Sequence, residues 1–172
     1  MTSLEALRAI RKCDLEELRR LQTTGYSVLE RTESEHWTLL HRAYMSIRSH
    51  PCREMINLLL AEGVDVKAVD FYGNTALHYA AASGDAIGVE TLLSAGANPN
   101  SENRDRSTPL RTAVCSNSPG AFNCISVLLV GGADPEHRYE GACTVRELVE
   151  RIRWPTDEIP MLFRKLKSPR IE

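Results

Sequence analysis

The sequence predicts an all-α fold, a short α-solenoid of helix–turn–helix–hairpin units, and three observations predict it. Thr38, Thr75, Thr108 and Thr144 recur 37, 33 and 36 residues apart, each opening a helical run. Gly63, Gly96 and Gly132 recur 33 and 36 residues apart where second helices should end. Two markers at different points of a unit thus keep a similar spacing. The third observation is the stretch from Asp70 to Asn103, a complete unit too small to bury a core by itself. It needs copies on both sides.

Within that stretch Thr75 can cap a helix whose apolar side is Leu77, Ala80 and Ala81. Gly84 suits a tight reversal, and Val89, Leu92 and Leu93 form the stripe of a second helix that Gly96 ends. The run Thr75-Ala76-Leu77-His78-Tyr79-Ala80, with Gly73 before it and Gly96-Ala97-Asn98 after it, resembles the ankyrin repeat, whose signature is Thr-Pro-Leu-His-x-Ala. Alanine replaces the proline. The resemblance spans the chain and is strongest from Thr38 to Asp134. It divides the chain into one ankyrin-repeat domain, with an N-terminal capping repeat (1–34), central repeats (35–68, 69–102 and 103–136) and a C-terminal capping repeat (137–168).

The first unit predicts a helix with Leu4, Leu7 and Ile10 on one side and Ser3 as cap. A second helix follows from Asp14, with Leu15, Leu18 and Leu21 on one face. The unit lacks the Thr-x-Leu-His core and is rich in charge, as a terminal repeat with one neighbour must be. The second unit carries His36-Trp37-Thr38-Leu39-Leu40-His41, with His36 where the family has glycine and Leu39 where it has proline. Both departures loosen the match to the family's hairpin without disturbing the Thr38–Leu40–His41 core. An extended turn follows at Ile47 to Pro51, and Met55, Ile56, Leu58, Leu59 and Leu60 supply the next helix.

The fourth unit reads Ser107-Thr108-Pro109-Leu110-Arg111, with Arg106 at the glycine position and Arg111 at the histidine position. Pro109 falls in a first turn, where its missing N–H costs nothing. Its inter-helix turn, Cys115 to Gly120, is also extended. The last unit opens at Thr144-Val145-Arg146-Glu147-Leu148 and ends in a helix with Ile159, Met161, Leu162, Phe163 and Leu166, stopped before Pro169.

Composition excludes several classes. The 172 residues are 42% apolar and 26% charged, with a net charge of −2, so no overall field favours nucleic acid or an anionic membrane. No run approaches the roughly 18 apolar residues of a spanning helix, and the charged N-terminus does not read as a signal peptide. The five cysteines show no metal-knuckle or redox spacing. They read as apolar fillers in a reducing compartment, which favours the cytoplasm, or the nucleus in a eukaryote.

No nucleophile elbow, zincin motif, Walker loop or dinucleotide fingerprint is present. His41 and His78 repeat in register, but the resemblance gives them a scaffold role, hydrogen bonding within and between repeats. Arg111 cannot continue a serial metal or base site. Arg104, Arg106 and Arg111 are interleaved with Glu102 and Asp105, which reads as a solvated hairpin rather than a nucleic-acid stripe. The expectation is no catalytic residue, no metal, no cofactor and no nucleic-acid or membrane partner.

The resemblance implies a concave partner surface built from hairpin tips and first helices. Its variable positions fall on Ser34, Glu35, Trp37, Met45 and Ser46, then on Phe71, Tyr72, Asn74, Ala82 and Ser83, then on Arg104, Asp105, Ser107, Cys115 and Ser116. Trp37, Phe71 and Tyr72 stand out as large aromatics at tips with no core to fill. The expected function is non-catalytic binding of a protein partner by a monomer, as a small inhibitor or antitoxin-like protein. An adaptor is the alternative, followed by an enzyme or small-ligand binder using the extended turns near His50 and Asn117.

Overall fold

The computed structural model describes residues 2–44, 50–116, 118–138, 143–152, 154 and 156–165. Among them run α1 (Thr2–Lys12), α2 (Leu15–Thr23), α3 (Leu39–Ala43), α4 (Arg53–Ala61), α5 (Ala76–Ser83), α6 (Ala86–Ser94), α7 (Pro109–Cys115), α8 (Ala121–Val130), α9 (Val145–Arg151) and α10 (Glu158–Lys165). No strand forms among the described residues. Isolated antiparallel bridges join Val69 to Thr75 and Arg138 to Thr144 at hairpin bases.

The helices make two layers. The first helices stack in the order α1, α3, α5, α7, α9, and the second helices in the order α2, α4, α6, α8, α10. Each pair also packs within its own unit. The core is therefore one continuous seam in which Leu18, Leu40, Ile56, Leu77, Leu92, Leu110 and Ile125 are fully buried. Burying one such side chain is worth roughly 1.5–3 kcal/mol, and the stack supplies that burial where a lone unit cannot.

Side chains that start the helices follow one scheme with substitutions. Thr144 and Glu147 form a reciprocal capping box, each side chain bonding the other's backbone N–H at 3.1 Å. At Thr38 and Thr75 a histidine takes the place of that glutamate, through Nδ1 of His41 and of His78. Thr108 has only its own oxygen to offer, to the backbone N–H of Arg111. Asp14 caps α2 by accepting from the N–H of Glu17 at 2.9 Å.

Three expectations change. Leu4 is 55% exposed, because the stripe facing α3 is Ala6, Ala9 and Ile10, and at 100° per residue Leu4 lies on the other side. Met161 is likewise exposed, beside buried Ile159 and Phe163. His36 and Arg106, which stand at the glycine position of their tips, hold φ of +59° and +57°, the left-handed region Gly73 occupies at +80°. Finally, Cys13 and Cys52 are not unpaired fillers but form a disulfide, with Cα atoms 5.9 Å apart. Cys124 is a buried thiol, as an apolar filler should be, whereas Cys115 is exposed and Cys143 half-buried.

The expectations for the Ser3 cap, for Met45, Ser46 and the turn from Ile47, and for Asn117, Leu166 and Pro169 lie outside the described residues and side chains.

Candidate functional site: the row of hairpin tips

Backbone hydrogen bonds lock the tips into a row. Within tips, the N–H of Thr32, Asp70 and Asn103 donate to the carbonyls of Trp37, Asn74 and Ser107 at 3.0, 2.9 and 3.1 Å. Between tips, the N–H of Phe71 donates to the Glu35 carbonyl at 2.8 Å, and that of Arg104 to the Tyr72 carbonyl at 2.9 Å. The site residues Glu35, Phe71, Tyr72 and Arg104 thus share one rigid backbone frame.

On this frame Phe71 is 47% and Tyr72 55% exposed. Their rings meet edge to face with centroids 5.4 Å apart. The guanidinium carbon of Arg104 lies 4.2 Å from the Phe71 ring centroid, a cation–π contact. Asp105 is exposed at the end of the row, its N–H donating to the Asn103 side chain at 3.0 Å. Glu35 is half-buried and accepts from the Ser34 hydroxyl.

Trp37, Asn74 and Ser107 are placed differently. Trp37 is half-buried, and its indole Nε1–H donates to Asp70 Oδ2 at 3.3 Å. The Asn74 carbonyl accepts from His41 Nε2 at 3.0 Å, and its Oδ1 accepts from Asn103 Nδ2 at 2.9 Å. The Ser107 carbonyl accepts from His78 Nε2 at 3.0 Å. Since the N–H of Thr38 and Thr75 donate to Nδ1 of His41 and His78, each ring is the neutral Nε2–H tautomer. Burial pushes both imidazoles below the ordinary histidine value. The two histidines therefore tie units together.

Sequence reasoning passed over Asp70. Only 4% exposed, it accepts from the N–H groups of Tyr72 and Asn74 at 2.9 and 2.8 Å, from the Tyr79 hydroxyl at 2.6 Å and from Trp37. Burial pushes its carboxyl up, but the Tyr79, Asn74, Trp37 and Tyr72 donors outweigh this and hold it below the ordinary carboxylate value. Burial, and after it the hydrogen bond and charge of Asp70, push the Tyr79 phenol up to about 12, against a smaller opposite effect of Asn74 and Trp37. An aspartate before an aromatic pair was the only available signal, and such residues are ordinarily read as turn formers.

Beyond Tyr79 lies a groove of about 400 Å³ lined by Tyr44, His50, Tyr79, Ala82, Ser83 and Ser118. Three of its four hydroxyls are engaged, Tyr79 with Asp70, Ser83 with the Ala80 carbonyl and Ser118 with the Ser83 carbonyl, whereas the buried Tyr44 hydroxyl has no hydrogen-bond partner among the described residues. The extended turn of the fourth unit is thus docked onto the third. No group of three or more metal-ligating side chains occurs among the described residues. None of their helices is long and apolar enough to cross a membrane.

Known proteins place the chain. Residues 6–103 and 49–139 match the family model described as ankyrin repeats (3 copies). The chain is 41% identical over 83 residues to the E3 ubiquitin-protein ligase KEG of Arabidopsis thaliana, across 48% of this chain and 5% of that protein. It is 35% identical over 126 residues to a transient receptor potential cation channel subfamily A member 1 homolog of Caenorhabditis elegans, across 71% and 10%. To the neurogenic locus Notch protein of Drosophila melanogaster it is 37% identical over 73 residues, across 42% and 3%. It spans a tenth or less of each of these relatives. With the paired layers, the Thr–His caps and the family match in agreement, the chain belongs to the ankyrin repeat family.

Proposed function

We propose that this chain is a non-catalytic recognition module that binds a protein partner through its hairpin tips and adjoining first helices. Ankyrin repeats are generally protein–protein interaction modules. The single observation that supports the finer reading is the Phe71–Tyr72–Arg104 cluster, two half-exposed aromatics and a cation fixed on a hydrogen-bonded frame. Tyrosine and arginine are frequent interface anchors, and a fixed frame loses little ordering entropy on docking. Phe71, Tyr72 and Arg104 are the anchors of this reading, Glu35 and Asp105 its charged flanks. Trp37, Asn74 and Ser107 support the frame.

The module acts as a monomer in this reading, and its mode is inhibitor-like, by covering a partner's surface. A cytoplasmic setting belongs to the same reading, supported now by the unpaired Cys115, Cys124 and Cys143 alone. The groove beside Tyr79 supports a second reading, small-ligand binding at the extended turns, but three of its four hydroxyls are already engaged, which leaves few polar groups to orient a substrate. Affinity capture from the native host with wild-type protein, beside the triple variant Phe71→Ser, Tyr72→Ser, Arg104→Ala, tests the proposal. A partner retained by wild type and lost by the variant supports it, and one held equally by both overturns it.

A further inference from the structure

Two of the joints between successive units are built alike in backbone and differ in chemistry. Between the third and fourth units the joint is Gly84 against Gly120. Gly84 holds φ of +80° in the turn from α5 to α6, and Gly120 is the residue before α8. A Cβ on Gly120 would lie 2.1 Å from the Gly84 carbonyl oxygen, and one on Gly84 would run into the Ser118 side chain and crowd the Gly120 backbone, so glycine suits both places. Asp85, which follows Gly84, donates its N–H to the Ala80 carbonyl at 3.1 Å.

Between the first and second units the same two places hold Cys13 and Cys52. Cys13 sits in the turn from α1 to α2, and the N–H of Asp14 after it donates to the Ala9 carbonyl at 2.9 Å, as Asp85 does to Ala80. Cys52 is the residue before α4. Cys13 also keeps the left-handed backbone of its glycine counterpart, with φ of +54°. A side chain there carries a backbone cost that glycine would avoid. The strain is retained together with a second cysteine opposite, and the two sulfurs are joined.

We propose that Cys13–Cys52 is a reversible redox staple, opened by small cytosolic thiols such as glutathione and closed by their disulfides, that sets how firmly the N-terminal repeat is held to the array. Both residues keep partial exposure, which attack by a small thiol requires. The N–H of Cys52 donates to Cys13 Sγ at 2.9 Å, which stabilises sulfur charge on Cys13. Opening follows from that polarity. A glutathione thiolate attacks Cys52 Sγ, and the electron pair of the broken S–S bond leaves on Cys13 as thiolate, beside that N–H. A second glutathione thiolate attacks the glutathione sulfur of the mixed disulfide, releasing Cys52 thiolate and glutathione disulfide. The two cysteines gain two electrons and two protons, and two glutathione molecules lose them. Closure is the reverse.

The proposal is independent of partner binding, so its test needs no partner. The full chain is equilibrated across a series of reduced-to-oxidised glutathione ratios, alkylated, and mapped for the Cys13–Cys52 peptide, with amide exchange followed in parallel. The staple forms and opens within the series, and opening lowers protection in α1 and α2 by about tenfold while α5 to α8 stay unchanged. Cys13→Gly with Cys52→Gly restores the chemistry of the Gly84–Gly120 joint and abolishes the glutathione response. Cys115→Ser, Cys143→Ser retains it. A linked peptide that never forms, one that glutathione cannot reduce, or a response that survives in the double glycine variant overturns the proposal.

Discussion

The indole Nε1 of Trp37 lies 3.3 Å from Oδ2 of Asp70, so the tip of the second unit holds a carboxylate at the start of the third. From sequence Trp37 reads as a free anchor whose loss would weaken partner binding at unchanged stability. Its indole is instead a structural donor to a buried carboxylate. Trp37→Phe, which keeps an aromatic ring and removes the N–H, lowers unfolding stability by about 1 kcal/mol. Urea denaturation reads this directly, and an unchanged midpoint would return Trp37 to the partner surface.

Asp70 makes stability depend on acid. Its folded pKa is held below the unfolded value by four donors, so its contribution is complete above about pH 4 and is lost as pH falls through the folded value. Asp70→Asn keeps the shape and flattens that acid limb. Thermal midpoints between pH 5 and pH 2 for both proteins decide it: parallel curves would contradict the role assigned to Asp70.

His41 and His78 act in a different window. Burial lowers both pKa values, so below about pH 6.5 the unfolded chain takes up protons that the folded chain refuses. Their neutral-state stability is complete above that pH and declines as pH falls towards the lowered folded values. The protein therefore loses stability between pH 7 and pH 5, and His41→Gln with His78→Gln reduces the slope of that loss. An unaltered slope assigns it to other groups.

The Gly84–Gly120 contact predicts unequal costs for one substitution at two left-handed glycines. Gly96→Ala meets open space and carries only the backbone term, about 1 kcal/mol. Gly84→Ala adds a clash with the Ser118 side chain and the Gly120 backbone, and costs clearly more. Equal losses would mean that the extended turn of the fourth unit gives way freely.

Much of the fold was legible from sequence because two periodic markers, the capping threonines and the terminating glycines, each have a local physical cause. The tips were legible only in part. His36 and Arg106 read as departures, since sequence does not show that neighbouring tips share hydrogen bonds able to hold a non-glycine residue at positive φ. Phe71 and Trp37 looked equivalent, and only the 33-residue reach from Trp37 to Asp70 separates exposed ring from tethered one. The Cys13–Cys52 pair was hidden for the same reason, being 39 residues apart with no motif spacing.

The central claim is that recognition rests on Phe71, Tyr72 and Arg104. Its most direct test is the affinity of the captured partner for wild type and for Phe71→Ser, Tyr72→Ser and Arg104→Ala singly, by calorimetry, beside each variant's thermal midpoint. The account predicts that at least one aromatic variant weakens binding by about tenfold or more, with midpoints close to wild type. Affinities unchanged in all three variants would contradict it.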